Sequence, residues 1–319
     1  MKKNYLFGLC ALILSQSTLI NAQTVEEVIV TATKTERTLQ EVPVAVSVVT
    51  ADTIEKANVV DLLDLKAVVP SLDARQYQST TNATFFIRGF GNGSNNPGVE
   101  PSVAVFVDGV YRSKIQGQIS DLPMLERIEV LRGPQGTLFG QNSTGGAINV
   151  ISKKPSTEGY ANKSDITLGD YGLTKFRSAS NIPLSDKLAT RFSFSATKRD
   201  GFTENLVNGQ DLDDANNISI RTDWFLELTD ISSLRVFGQY FEVDRNGSAI
   251  RGIDDTSGKA RKLSQDTISN HELTSLVLGA VYENDLGFAN LKVMASIQDD
   301  DISVTRDNDR HNFGDLVRV

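Results

Sequence analysis

From about Ser156 onward, apolar and polar residues alternate with a period of two. Leu188, Thr190, Phe192, Phe194 and Ala196 alternate with Ala189, Arg191, Ser193, Ser195 and Thr197. Ile218, Ile220, Thr222, Trp224, Leu226 and Leu228 alternate with Ser219, Arg221, Asp223, Phe225 and Glu227. Ala289, Leu291, Val293, Ala295 and Ile297 alternate with Asn290, Lys292, Met294, Ser296 and Gln298. Segments of about ten residues, apolar outside and polar inside, predict strands of a transmembrane barrel. The stretches near Leu234–Val243 and Leu273–Tyr282 alternate less cleanly, and the first two strands are weak. Short connections (Pro183–Asp186, Thr229–Ser233, Glu283–Gly287) take turns with long polar ones (Asp200–Asn216, Asn246–Ser269, and from Asp299 on). A soluble sandwich also has one polar strand face, but it does not readily alternate loop lengths, whereas a barrel has short turns at one end and long loops at the other.

Ahead of this region the period changes. Val42–Thr50 reads as one buried strand. Thr53–Val69 has helical spacing, with Ile54, Ala57 and Val60 on one face, then Leu62, Leu63, Leu65 and Val68. Asp52 is placed to cap that helix and Pro70 to stop it. Phe85–Ile87 and Val103–Val107 read as further strands, and Asp108–Gly109 as a hairpin turn. In residues 121–155, the apolar Ile128, Val130 and Leu131 enter a Gly133–Pro134 turn, and a second strand returns at Ala147–Ile151. The glycines between them mark backbone that takes positive φ or packs against another surface. Roughly 110 residues suffice for an independent core.

The run ERIEVLRGPQGTLFGQNSTGGAINVISKKP (126–155) resembles the plug domain of TonB-dependent outer-membrane receptors. Ile87-Arg88-Gly89 and VAVFVDGVYR (103–112) match two further motifs of that family, and VEEVIVTAT (25–33) resembles its TonB box. The resemblance implies four segments: a signal peptide over 1–22, a tether carrying the box over 23–41, a plug over 42–155, and the N-terminal part of a barrel over 156–319. The expected fold is mainly β: a small α+β plug with an incomplete antiparallel transmembrane barrel, about seven of some 22 strands. An eight-stranded barrel is filled by its own side chains, too narrow for a globule whose radius of gyration is near 13 Å. The end at Arg318–Val319, without a terminal aromatic residue, adds to the expectation of a fragment.

The resemblance also implies roles. Glu27, Val28, Ile29, Val30 and Thr31 form the box that binds the TonB protein, itself driven by ExbB–ExbD. Flanked by polar residues, this β-prone stretch suits an exposed strand that adds to a partner's sheet edge. Arg88 and Arg132 correspond to the arginines that latch the plug to wall glutamates; local pairing of Arg132 with Glu126 or Glu129 is the alternative. Asn92, Ser94, Asn95 and Asn96, in an apical loop, are placed to hydrogen-bond an extracellular ligand or simply water. That ligand is a scarce solute, a ferric siderophore first; cobalamin, nickel complexes and glycans use the same architecture. A passive porin and a surface binding protein without energised transport are the rival readings.

Composition trims the remaining classes. Lys2, Lys3 and the apolar Leu6–Leu14 suit an exported chain cut after Ala22. A lipoprotein start at Cys10, the single cysteine, is disfavoured by bulky Leu9 before it. With one cysteine and two histidines, His271 and His311, neither a disulfide framework nor a His/Cys metal cluster is expected. The acid groups of the long loops (Asp211, Asp213, Asp214; Asp254, Asp255; Asp299, Asp300, Asp301) lack the spacing of an EF-hand. They suit solvated loops or cation-bridged lipopolysaccharide. The net charge of −8 argues against nucleic acid. No catalytic constellation, resident metal or cofactor is indicated. The expected place is the outer membrane of a Gram-negative bacterium, among its lipid and lipopolysaccharide.

Overall fold

Two strand systems, one seated against the inner face of the other, make up the structure. It is a computed structural model that describes residues 29–31, 37–57, 59, 61–76, 83–91, 100–112, 125–140, 142–252 and 260–307. A two-residue pair opens it, β1 (Ile29–Val30) against β2 (Arg37–Thr38). Then come β3 (Val46–Thr50), helix α1 (Ala51–Lys56), a 3-10 segment (Leu62–Ala67), and the short strands β4 (Leu72–Arg75), β5 (Thr84–Ile87) and β6 (Phe90–Gly91). The plug sheet is completed by β7 (Val103–Val107), β8 (Val110–Tyr111), β9 (Leu125–Arg132) and, after helix α2 (Gly136–Phe139), β10 (Gly146–Ser152). Its order is β3-β9-β10-β7-β8, with β10 parallel to β7 and the other pairs antiparallel.

Both faces of this sheet are covered, which is why its central strands are nearly continuous apolar runs. Val105, Val107, Ile128, Val130, Ile148 and Val150 pack on Leu62, Leu65, Leu72, Phe85 and Ile87. On the other face, Ala104, Phe106, Leu131 and Ala147 pack on Val30, Val42 and Phe139.

The single helix expected over Thr53–Val69 is instead two pieces. Thr50, not Asp52, caps α1 by accepting from the Thr53 N–H. Asp61 starts the second piece through a reciprocal capping box with Asp64. A side chain able to cap in mid-pattern competes with helix continuation. The buried Leu62 and Leu65 then fall three apart, the period of a 3-10 turn.

Seven long strands follow: β11 (Ala161–Gly169), β12 (Leu173–Pro183), β13 (Leu188–Arg199), β16 (Ala215–Thr229), β17 (Ser232–Arg245), β19 (Asn270–Asp285) and β20 (Asn290–Thr305). All neighbours are antiparallel, in chain order. The minor strands β14 (Thr203–Asn205), β15 (Asp211–Leu212) and β18 (Lys262–Leu263) tie the two long loops into one sheet. Nearby, the Arg261 guanidinium stacks on both Tyr171 and Phe202.

The wall is inside out relative to a soluble sheet. On β16 the buried positions after Ala215 are Asn217, Ser219, Arg221 and Asp223, while Trp224 is exposed and Ile218 and Ile220 half-buried. Phe192, Val236, Leu276, Leu278, Val293 and Ile297 continue the exposed apolar band. The blurred alternation of β17 and β19 has a cause: Phe237, Val277 and Val281 point inward, where Val110 of the plug packs on them. Phe237 is in register with Gly279, whose missing Cβ leaves room for the ring. Asp299–Asp301 lie within β20 and not in a loop. Asp300 turns inward to accept from Ser275 Oγ at 2.6 Å, and Asp299 and Asp301 are exposed.

Candidate functional site

Two regions join sequence motifs to geometry: the place where Thr31 meets the plug, and the seam between plug and wall. At the first, Glu129 of β9 and Asn149 of β10 are cross-strand partners on the face that Val30 covers. The Glu129 side chain is fully buried. It accepts from Thr31 N at 2.8 Å, Arg127 Nε at 2.8 Å and Asn149 Nδ2 at 3.1 Å. Thr31 Oγ1 reaches Glu129 Oε1 at 3.2 Å. Val30 is likewise fully buried. The exposed strand expected here is thus folded back onto the plug, because Val30 gains apolar burial and Thr31 gains a charged acceptor. Burying a valine contributes about 1.5 kcal/mol or more, and a hydrogen bond to a charged group about 1.5–3 kcal/mol. The dock is therefore worth only a few kcal/mol. Glu27 and Val28 lie outside the described residues.

The second region centres on the β7–β8 hairpin. Asp108 and Gly109 form its corner with φ of 51° and 85°, the left-handed pair that a tight hairpin turn needs. The Asp108 side chain, 1 % exposed, meets the wall. Arg221 Nη2 donates to Asp108 Oδ2 at 2.7 Å, and Arg235 Nη1 to Oδ1 at 3.4 Å. Ser152 of β10 donates to the same carboxylate through N at 3.0 Å and Oγ at 2.6 Å. On the wall, Asp223 accepts from Arg221 Nε at 2.6 Å and Arg235 Nε at 2.8 Å. Both guanidinium groups stack on Phe237, at 4.8 and 5.4 Å. Close by, Arg112 Nη2 donates to Gln239 Oε1 at 3.1 Å.

Burial alone raises the Asp108 carboxyl, but Arg221, Arg235 and the Ser152 hydrogen bonds outweigh it and hold it below its ordinary value. It is ionised throughout the neutral range. Burial brings Arg112 down to about 10, with Arg221 adding to the effect, so it stays charged. Other ties are weaker. Lys163 Nζ meets Glu55 at 2.6 Å, but both side chains are about half exposed or more, where a pair contributes about 1 kcal/mol at most. Asn181 fixes the link into the wall through Ser156 and Gly159.

Arg88 sits at the exposed β5–β6 turn with φ 53°, and its backbone N–H donates to Ser71. Arg132 closes β9; its Nε is buried with no hydrogen-bond partner among the described residues. Glu126 and Glu129, its local alternatives, both pair with Arg127. Asn92, Ser94, Asn95 and Asn96, with Asp254 and Asp255, lie outside the described residues. Among the described residues no group of three or more His, Cys, Asp or Glu side chains is placed to hold a metal ion. Sequence reasoning missed Asp108, Arg221, Asp223, Arg235 and the dock made by Glu129. The available signal was the pair Arg221 and Asp223, two charges on the polar side of a predicted barrel strand.

Comparison with known proteins bears on this arrangement. Residues 38–147 match the family model for the TonB-dependent Receptor Plug Domain. The vitamin B12 transporter BtuB of Vibrio vulnificus is 33% identical over 168 residues, 50% of this chain and 26% of that protein. The ferrichrome outer membrane transporter/phage receptor of Escherichia coli is 34% identical over 137 residues, 40% of this chain and 17% of that protein. The chain thus spans about a quarter or less of the length of these two relatives. In fold, the ferric yersiniabactin uptake receptor FyuA of Yersinia pestis aligns over 83% of this chain and 42% of its own, with a TM-score of 0.74 at 22% identity. With a matching plug, a wall whose outer face is apolar, and relatives of this kind, residues 38–147 are a TonB-dependent receptor plug domain and the chain as a whole is similar to TonB-dependent receptors.

Proposed function

We propose that the complete protein takes up a scarce solute across the outer membrane of a Gram-negative bacterium, a ferric siderophore first and cobalamin as the alternative. It acts as a receptor and transporter and not as an enzyme. The observation that carries this reading is the plug seated on the polar face of the wall with its Ile29–Thr31 segment docked by a few kcal/mol. A seated plug blocks passive flow. A weakly docked strand can be exchanged for a partner's sheet edge, since several backbone hydrogen bonds at about 1 kcal/mol each rival the dock. The partner is TonB, energised through ExbB–ExbD, and the ligand reaches the plug from outside.

The band of exposed apolar side chains suits outer-membrane lipid. Along their outer edges β11 and β20 pair with no strand among the described residues. In lipid each unsatisfied backbone group costs several kcal/mol, so further strands complete the cylinder. Similarity to receptors named for ferrichrome, yersiniabactin and pyoverdine supports iron as cargo, and similarity to vitamin B12 transporters supports the alternative.

Removing residues 25–33 tests the proposal. Cells carrying the shortened receptor should bind the solute normally and accumulate none, measured with a panel of radio-iron siderophores and labelled cobalamin. Undiminished accumulation would refute energised uptake through this segment.

A further inference from the structure

We infer that Asp108 is the positioning residue that seats the plug: its carboxylate completes a buried set of charges that balances only while the β7–β8 hairpin is against the wall. The inference concerns plug seating and stands whether or not uptake is energised. Two carboxylates, Asp108 and Asp223, meet two guanidinium groups, Arg221 and Arg235, all under a tenth exposed. Within this set of four the wall supplies two positive charges and one negative, and the plug supplies the fourth. The plug's Arg112, brought near Arg221 by the same hairpin, is offset by Asp300 of the wall.

Nearby contacts make the seat specific. The wall arginines are also held by partners within the wall itself, Asp223 and the Phe237 ring. A Cβ on Gly109 would lie 3.0 Å from Met294 Sδ, so the corner fits the wall closely. Val110 packs on Phe237, Val277 and Val281, and Arg112 reaches Gln239. Five consecutive residues thus carry an ion set, a close fit, an apolar contact and a buried hydrogen bond. The sign is also informative: here the plug offers the acid and the wall the bases, the reverse of the polarity expected for Arg88 and Arg132.

The test uses the full-length receptor with Asp108→Asn, Arg221→Gln and the double variant. Heat-modifiable mobility checks that each barrel is folded. Purified receptor in planar bilayers is read for KCl conductance, and cells for vancomycin susceptibility. Each single variant leaves one buried charge uncompensated, so the unseated fraction should rise about a hundredfold or more, with conductance steps and vancomycin sensitivity. The double variant, balanced again by Asp223 and Arg235, should return most of the way to the wild-type seal. If one single variant does not reach the membrane, the other and the double still decide. A single variant that seals as tightly as wild type overturns the inference. So does a double variant that leaks as much as either single, since lost packing would then be the cause.

Discussion

Substituting Gly146 by valine should unfold the plug while leaving the wall intact. Gly146 opens the central strand β10, with Arg132 of β9 on one side and Val103 of β7 on the other. Its φ is 147°, a region that side-chain-bearing residues rarely enter. A Cβ there would overlap the Leu131 carbonyl oxygen and lie 2.7 Å from Ile87 Cδ1. The carbonyl belongs to the neighbouring strand and cannot retreat without breaking the ladder. Backbone strain and overpacking each cost about 1–3 kcal/mol, a large share of a domain's roughly 5–15 kcal/mol. Limited proteolysis of the purified receptor should remove the plug and spare the barrel. The neighbouring Gly145→Ala, whose Cβ would meet its nearest atoms at 3.2–3.3 Å, should be clearly milder. Equal resistance of Gly146→Val and wild type would contradict this packing.

Loss of the Glu129 carboxylate should free the docked segment with little harm to the plug core. In Glu129→Ala the Thr31 N–H and Arg127 Nε lose their acceptor, while Asn149 retains Thr31 Oγ1 at 3.4 Å. A hydrogen bond to a charged group contributes about 1.5–3 kcal/mol, which corresponds to roughly a ten- to hundredfold rise in undocking. Amide hydrogen exchange over residues 29–31 should accelerate by that factor, with exchange in β7 and β10 unchanged. Unaltered exchange at Val30 and Thr31 would show that something else holds the segment.

Much of this architecture was legible in the sequence, and the illegible parts have physical reasons. The seven wall strands follow from period-two alternation, which is clean on β13, β16 and the lower part of β20, where the polar face meets the plug or lumen. It fades on β17 and β19, whose inward Phe237, Val277 and Val281 pack against another apolar surface. Gly133, Gly140 and Gly146 of the motif loop all take positive φ, as glycine crowding suggested. The helical spacing over Thr53–Val69 covers two separate pieces, since apolar spacing cannot register that Asp61 caps a fresh start.

The sites were less legible than the fold. Asp108 read as a turn residue because its backbone role is local, whereas its ionic role needs Arg221 and Arg235, more than a hundred positions away. Glu129 offered no pattern either, as the residue it holds lies 98 positions earlier. Long-range polar pairing leaves no periodic mark. Only the topology brings such groups together.

The account depends on one face of β16 meeting lipid and the other the plug. Nitroxide labels placed singly at Asn217, Ile218, Ser219 and Ile220 of the full-length receptor in lipid vesicles test this directly, by relaxation with oxygen and with a water-soluble nickel chelate. Ile218 and Ile220 should respond to oxygen, which concentrates in lipid, and Asn217 and Ser219 to neither reagent. Strong nickel relaxation at Ile220, or oxygen relaxation at Ser219 equal to that at Ile220, would contradict a plug enclosed by a lipid-facing wall.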